Sequence, residues 1–170
     1  MEQVTINKQA KLSEHFSLGG LCVTNAKTPD GNIPSRVHIE NLKNLCENWL
    51  EELRYSYNVL YCLKPGEDYE TSKNVEPVII TSGYRSPDVN RAVGGACSSN
   101  HLTGCAVDIR CVGVEQAIRY AAILLDAADD RKEDFDELLI EHNRKGRYWV
   151  HFAVRSPKEG NRRKVRLIQT

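Results

Sequence analysis

The stretch SSNHLTGCAVDI, residues 98–109, sets a histidine and an aspartate seven residues apart with small residues around the turn between them. Read as a strand from Gly104 onward, it divides by parity. Cys105, Val107, Ile109 and Cys111 share one face; Gly104, Ala106, Asp108 and Arg110 share the other. The apolar set belongs on a core. The aspartate face carries the two smallest residues, which leaves room for something to approach. The bland reading is a capped turn leading into a strand, and the sharp reading is half of a metal site. Cys97 and Cys105 flank His101, so a thiolate ligand competes, but parity points Cys105 away from Asp108.

The same alternation recurs at the end of the chain. FDELLIEH (135–142), a turn NRKG and RYWVHFAV (147–154) read as an antiparallel hairpin. Tyr148, Val150, Phe152 and Val154 share one face, and Trp149, His151 and Ala153 the other. Leu138 and Ile140 alternate with Leu139 and Glu141, and Glu141 lies beside the turn, where cross-strand pairing brings it near His151. Two histidines, an aspartate and a nearby carboxylate are the inventory of a catalytic zinc site with one position left for water.

Outward from these strands, PVIITSGYR (77–85) reads as a strand running into a turn, and SPDVNRAVGG as a short helix or loop. VEQAIRYAAILLDAAD (114–129) is an amphipathic helix. An earlier helix starts near Ser35, with Ile39, Leu42, Leu45, Cys46, Trp49, Leu50 and Leu53 on one face, and fades by Tyr57. LSEHFSLGGL (12–21) reads as a short helical or turn segment with a Ser13 cap, and residues 63–76 as a polar loop. KVRLIQT at the end is a candidate edge strand. The order predicts an α+β fold, a small, mostly antiparallel sheet flanked by helices.

The 170 residues suit a single domain, with a core over about 12–156 and a solvated basic tail over 157–170. The 23 basic and 23 acidic residues cancel, which argues against a nucleic-acid grip. No run approaches the ~18 apolar residues of a membrane helix, and no signal peptide is visible. The six cysteines, none in a C-x-x-C pair, read as reduced thiols of a cytoplasmic chain.

Ser99-x-His101-x-x-Gly104-x-Ala106-x-Asp108 resembles the signature of the zinc D-Ala-D-Ala carboxypeptidase family, which includes VanX- and VanY-like enzymes and phage L-alanyl-D-glutamate endolysins and shares its fold with the Hedgehog signalling domain. Ser82-Gly83-Tyr84-Arg85 resembles its substrate-binding segment, and Trp149-Val150-His151 its closing ligand strand. The resemblance implies one Zn²⁺ per chain on His101, Asp108 and His151. It implies substrate contacts from Arg85, Ser99 and Tyr84, with Arg85 also polarising the scissile carbonyl, and Glu141 as general base. The family's E-x-x-H spacing puts Tyr148 where an acid is common, so the base is read from the preceding strand, with Glu137 and Asp136 as the weaker candidates. The implied function is hydrolysis of peptidoglycan stem peptides by a monomer, at the D-Ala-D-Ala or the L-Ala-D-Glu bond. The implied route is cytoplasmic accumulation and release to the wall, as in phage lysis. The alternative is a non-catalytic zinc-containing binding module of the Hedgehog-like fold.

Overall fold

Five strands form one sheet in a computed structural model, which describes residues 7–170. β1 (Ile80–Ser82), β2 (Ala106–Cys111), β3 (Glu137–His142), β4 (Tyr148–Ala153) and β5 (Lys164–Gln169) lie in the order β1-β2-β4-β3-β5. All neighbours are antiparallel except β3 and β5, which run parallel. The α+β expectation holds.

Alternation fixes what each face does. Val107, Ile109, Leu138, Val150 and Phe152 are buried on one face against the helices. Helix α1 (Leu18–Leu21) precedes α2 (Arg36–Leu45) and α3 (Glu51–Tyr57), which are joined through a π-helical turn, Cys46–Leu50. After α4 (Pro87–Ala92), the long α5 (Gly113–Arg131) lies against α3 and across β2, β3 and β4. Trp49 meets Phe152 at a ring-centroid distance of 5.0 Å, and Phe135 closes the other side of that ring at 5.6 Å. Among the described residues, no helix is long and apolar enough to cross a membrane.

Three local expectations change. The helix predicted to fade by Tyr57 continues through a second π-helical turn to Cys62. There the Asn58 amide donates to the Arg54 and Glu76 carbonyls and accepts from the Glu76 N–H, tying the helix end to the chain entering β1. The cap of α1 is Ser17; the Ser13 hydroxyl instead donates to Glu51 on α3 at 2.5 Å. The basic stretch read as solvated ion-pairs with the strand-β3 region through Arg162, while KVRLIQT forms the edge strand β5 as expected.

Candidate metal centre

The opening motif becomes a 3₁₀ turn, Asn100–Thr103, feeding β2. Ser99 caps it, its hydroxyl accepting from the His101 N–H. Gly104 ends it at φ +72°, where a Cβ would also stand 2.6 Å from the His38 carbonyl oxygen. Gly83 meets a similar limit without the unusual φ: a Cβ there would lie 2.2 Å from the Leu21 carbonyl oxygen. That close approach leaves the Gly83 carbonyl to accept from His101 Nδ1 at 2.6 Å. Both glycines thus serve the same end, setting the His101 ring. Gly104 and Ala106, the two small residues expected to leave room for a ligand, are buried, so the protein itself fills that space.

Register then gathers the other ligands. Asp108 pairs with His151 across β2 and β4, and Leu139 sits opposite His151 on β3. Among the described residues, His101, Asp108 and His151 are the one group of three His, Cys, Asp or Glu side chains whose ligand atoms converge, all within 4.8 Å of one another. The cysteines are outside it: Cys97 is exposed, and the buried Cys105 sulfur faces the Thr103 carbonyl.

The donor set fits a divalent ion. With Nδ1 donating to Gly83, His101 Nε2 is the ring nitrogen left to face Asp108 Oδ1, at 3.3 Å. His151 Nδ1 stands 2.9 Å from the same oxygen. Ligand atoms about 2.0–2.1 Å from a tetrahedral zinc lie roughly 3.3 Å apart, so each nitrogen already stands near that spacing from the Asp108 oxygen. His151 Nε2 is buried without a hydrogen-bond partner, and Glu137 Oε2, 3.3 Å away, is outside hydrogen-bond alignment.

Charges around the cluster are matched. Burial works against the Asp108 carboxylate, but His101 and His151 outweigh it and hold its pKa well below the usual range. Burial likewise opposes a charged His151, yet Asp108 and Glu137 push that imidazole up to about 9. Arg85 Nη2 holds the second Asp108 oxygen at 2.5 Å while its Nε donates to Ser82 at 2.7 Å. Arg85 therefore orients the Asp108 carboxylate, a role the sequence reading had not given it, and it also lines the cleft.

The cleft over the cluster has a volume of about 690 Å³, and Ser99 and Glu141 line it with Arg85. Glu141 pairs with Trp149 and so shares the face of His151 one pair further on; burial raises its pKa, against the pull of His151. Glu137 shares that face too, but contact with His151 and with Lys164 keeps it, against its burial, well below the carboxylate range. Asp136 is fully buried under Arg162 and Arg155. Both are poorly suited to take a proton. Tyr84 corrects the prediction for its residue: it does not line the cleft. It is 4% exposed and stacked on His38 at 4.9 Å, because the backbone between Gly83 and Arg85 turns its side chain into the core. The sequence reading missed Arg155, Arg162 and Lys164 as cleft residues; a cluster of basic residues is the only signal they give, and it reads as solvated.

Residues 67–151, half of the chain, match a family model described as Peptidase M15. The match includes all three converging side chains and ends on His151. No curated protein matches the chain.

Proposed function

This chain belongs to the M15 peptidase family, and we propose that it is a zinc metallopeptidase acting on the peptide stems of bacterial peptidoglycan. The observation that carries the reading is the convergence of His101 Nε2, Asp108 Oδ1 and His151 Nδ1 at the floor of a cleft, a set in which two neutral imidazoles and a carboxylate would offer three lone pairs to one ion. A zinc ion held by these three would supply Lewis acidity and bring a water toward ionisation at neutral pH.

The chain's own residues do the rest. Glu141, raised by burial, takes the proton from the attacking water and returns it to the departing amine. Arg85 keeps the Asp108 carboxylate aimed. The Gly83 carbonyl holds His101 in one tautomer, and Glu137 is set to do the same for His151. Ser99 stands at the cleft wall to hydrogen-bond the peptide. The scissile bond is the terminal D-Ala-D-Ala link or the L-Ala-D-Glu link. The protein acts as a monomer that accumulates in the cytoplasm and reaches the wall on release; six unpaired thiols suit that route.

The test is a mass-spectrometric digest of stem peptides with the zinc-loaded protein and with its Glu141→Ala variant. A fragment made only by the unmodified protein supports the reading, and its mass names the bond. If neither protein makes a fragment while both hold zinc, the lytic reading falls and a zinc-containing binding module takes its place.

A further inference from the structure

The cleft has two unlike ends along β4. Trp149 and Glu141 stand at one, the ligand cluster in the middle, and Arg155, Arg162 and Lys164 at the other. The three cations at that end lie beyond the residues matched by the family model, 67–151.

Their partners within the protein do not balance them. Asp136 receives the Arg162 fork at 2.8 and 2.7 Å and Arg155 Nε at 3.1 Å. Glu137 receives Lys164 at 3.0 Å and Arg162 at 3.0 Å. Three cations thus share two carboxylates, one anion short. The imbalance is localised on Arg155. Its Nε is anchored to Asn100 Oδ1 at 2.8 Å, beside His101 in sequence, while neither Nη makes a hydrogen bond among the described residues. Arg155 is part-buried and its guanidinium is held in place, so little rotamer freedom remains to be lost on binding. A planar pair of unused N–H donors at a cleft wall suits a carboxylate.

We propose that Arg155, backed by Arg162 and Lys164, is a subsite that binds a free carboxylate of the peptide substrate and so sets which peptides enter and in which direction. The proposal rests on the peptidase reading and deepens it. Arg155 lies four residues past His151, about 13 Å of extended chain, so the recognised carboxylate falls within about three residues of the scissile bond. Two sources share this chemistry: the side-chain carboxylate of a glutamate-type residue and the peptide's C-terminal carboxylate.

The test uses four tetrapeptides, each of those two carboxylates being free or converted to a carboxamide. Affinities are measured by calorimetry on the full, zinc-loaded chain carrying Glu141→Gln to stop turnover. Amidating one of the two positions is expected to weaken binding roughly ten- to a hundredfold. Which position matters names the source. Arg155→Gln is expected to erase the difference and, in the turnover-competent protein, to raise KM for the acidic peptide more than it lowers kcat. Equal binding of all four peptides, or discrimination that survives Arg155→Gln, overturns the proposal. Because Arg155 touches buried Asp136, a variant that does not fold is replaced by a reading on the intact side chain. The Arg155 Nε–H resonance should move on titration with the acidic peptide and not with its amide; an unmoved resonance also overturns it. Ordered binding without any cleavage by the zinc-loaded unmodified protein would leave the subsite standing and sink the peptidase reading. Cleavage without discrimination would do the reverse.

Discussion

The two faces of the sheet are built from the same strands and do opposite jobs. On one, Val107, Ile109, Val150 and Phe152 pack against Trp49 and the helices. On the other, one residue out of step along each strand, Asp108, His151 and Glu141 surround a polar cleft. The carboxylates on that second face stay buried because each is held by cations or ring nitrogens: Asp108 by Arg85 and both histidines, Glu137 by Lys164 and Arg162. The contrast separates stability from chemistry within a few ångströms, and substitutions on the two faces should therefore fail in different ways.

The largest separation is expected from Glu141→Gln. As general base it should carry about 10²–10⁴ in kcat, with zinc content and thermal midpoint close to those of the unmodified protein. Because burial raises its pKa, against the opposing pull of His151, the acid limb of kcat/KM should lie above the ordinary glutamate range, and the Gln variant's residual activity should lack that limb. A variant as active as the parent would assign the proton transfer elsewhere. Phe152→Ala is the counterpart on the other face. It should cost about 3–5 kcal/mol in denaturant unfolding, through lost burial and the cavity left between Trp49 and Phe135. The fraction that stays folded should keep its kcat. A large fall in kcat per folded molecule would mean that the two faces are not independent.

Both strands of this comparison were legible because period-two alternation is a local property. It set Asp108 and His151 on the face opposite Val107 and Phe152, and the hairpin turn brought Glu141 to their side. What local reading missed depended on distant partners. Arg162 and Lys164 look like solvated charges until the chain folds back 26 to 27 residues to Asp136 and Glu137. Tyr84 sits in a turn, where alternation says nothing, and its side chain follows the backbone that Gly83 presses against Leu21. The extra helical turn to Cys62 rests on the Asn58 amide reaching Glu76, again a contact made across a loop.

Glu137→Gln sharpens the comparison at a smaller scale, since Glu137 lies on the chemical face yet is expected to act only through His151. Loss of a carboxylate behind a ligand imidazole typically costs 10–100-fold in metal affinity. The reading is the rise in unfolding temperature on adding zinc, compared between variant and parent. A smaller zinc-dependent rise supports the positioning role. An unchanged rise beside a lower metal-free midpoint would make Glu137 a partner of Lys164 and Arg162 and nothing more.

The smallest effect concerns the thiols, which sample both regions. Cys111 lies on the core face and burial pushes its pKa up to about 12; Cys46, buried between the helices, is raised as well, by burial first and then by Glu51 and Glu47. Cys97 is exposed. The folded state therefore holds these two buried protons more tightly than an unfolded chain, whose thiols titrate near 8.5. Their contribution to stability is complete below that pH and declines as the pH rises from there toward 12. At pH 8 an exposed-thiol reagent should label Cys97 rapidly in the native protein and reach Cys46 and Cys111 only on unfolding. Replacing Cys111 by alanine should flatten the alkaline loss of stability while leaving zinc uptake untouched. Native-state labelling of Cys111 at pH 8 would show that the apolar face opens to solvent, and the division between the two faces would then be a matter of time scale rather than of packing.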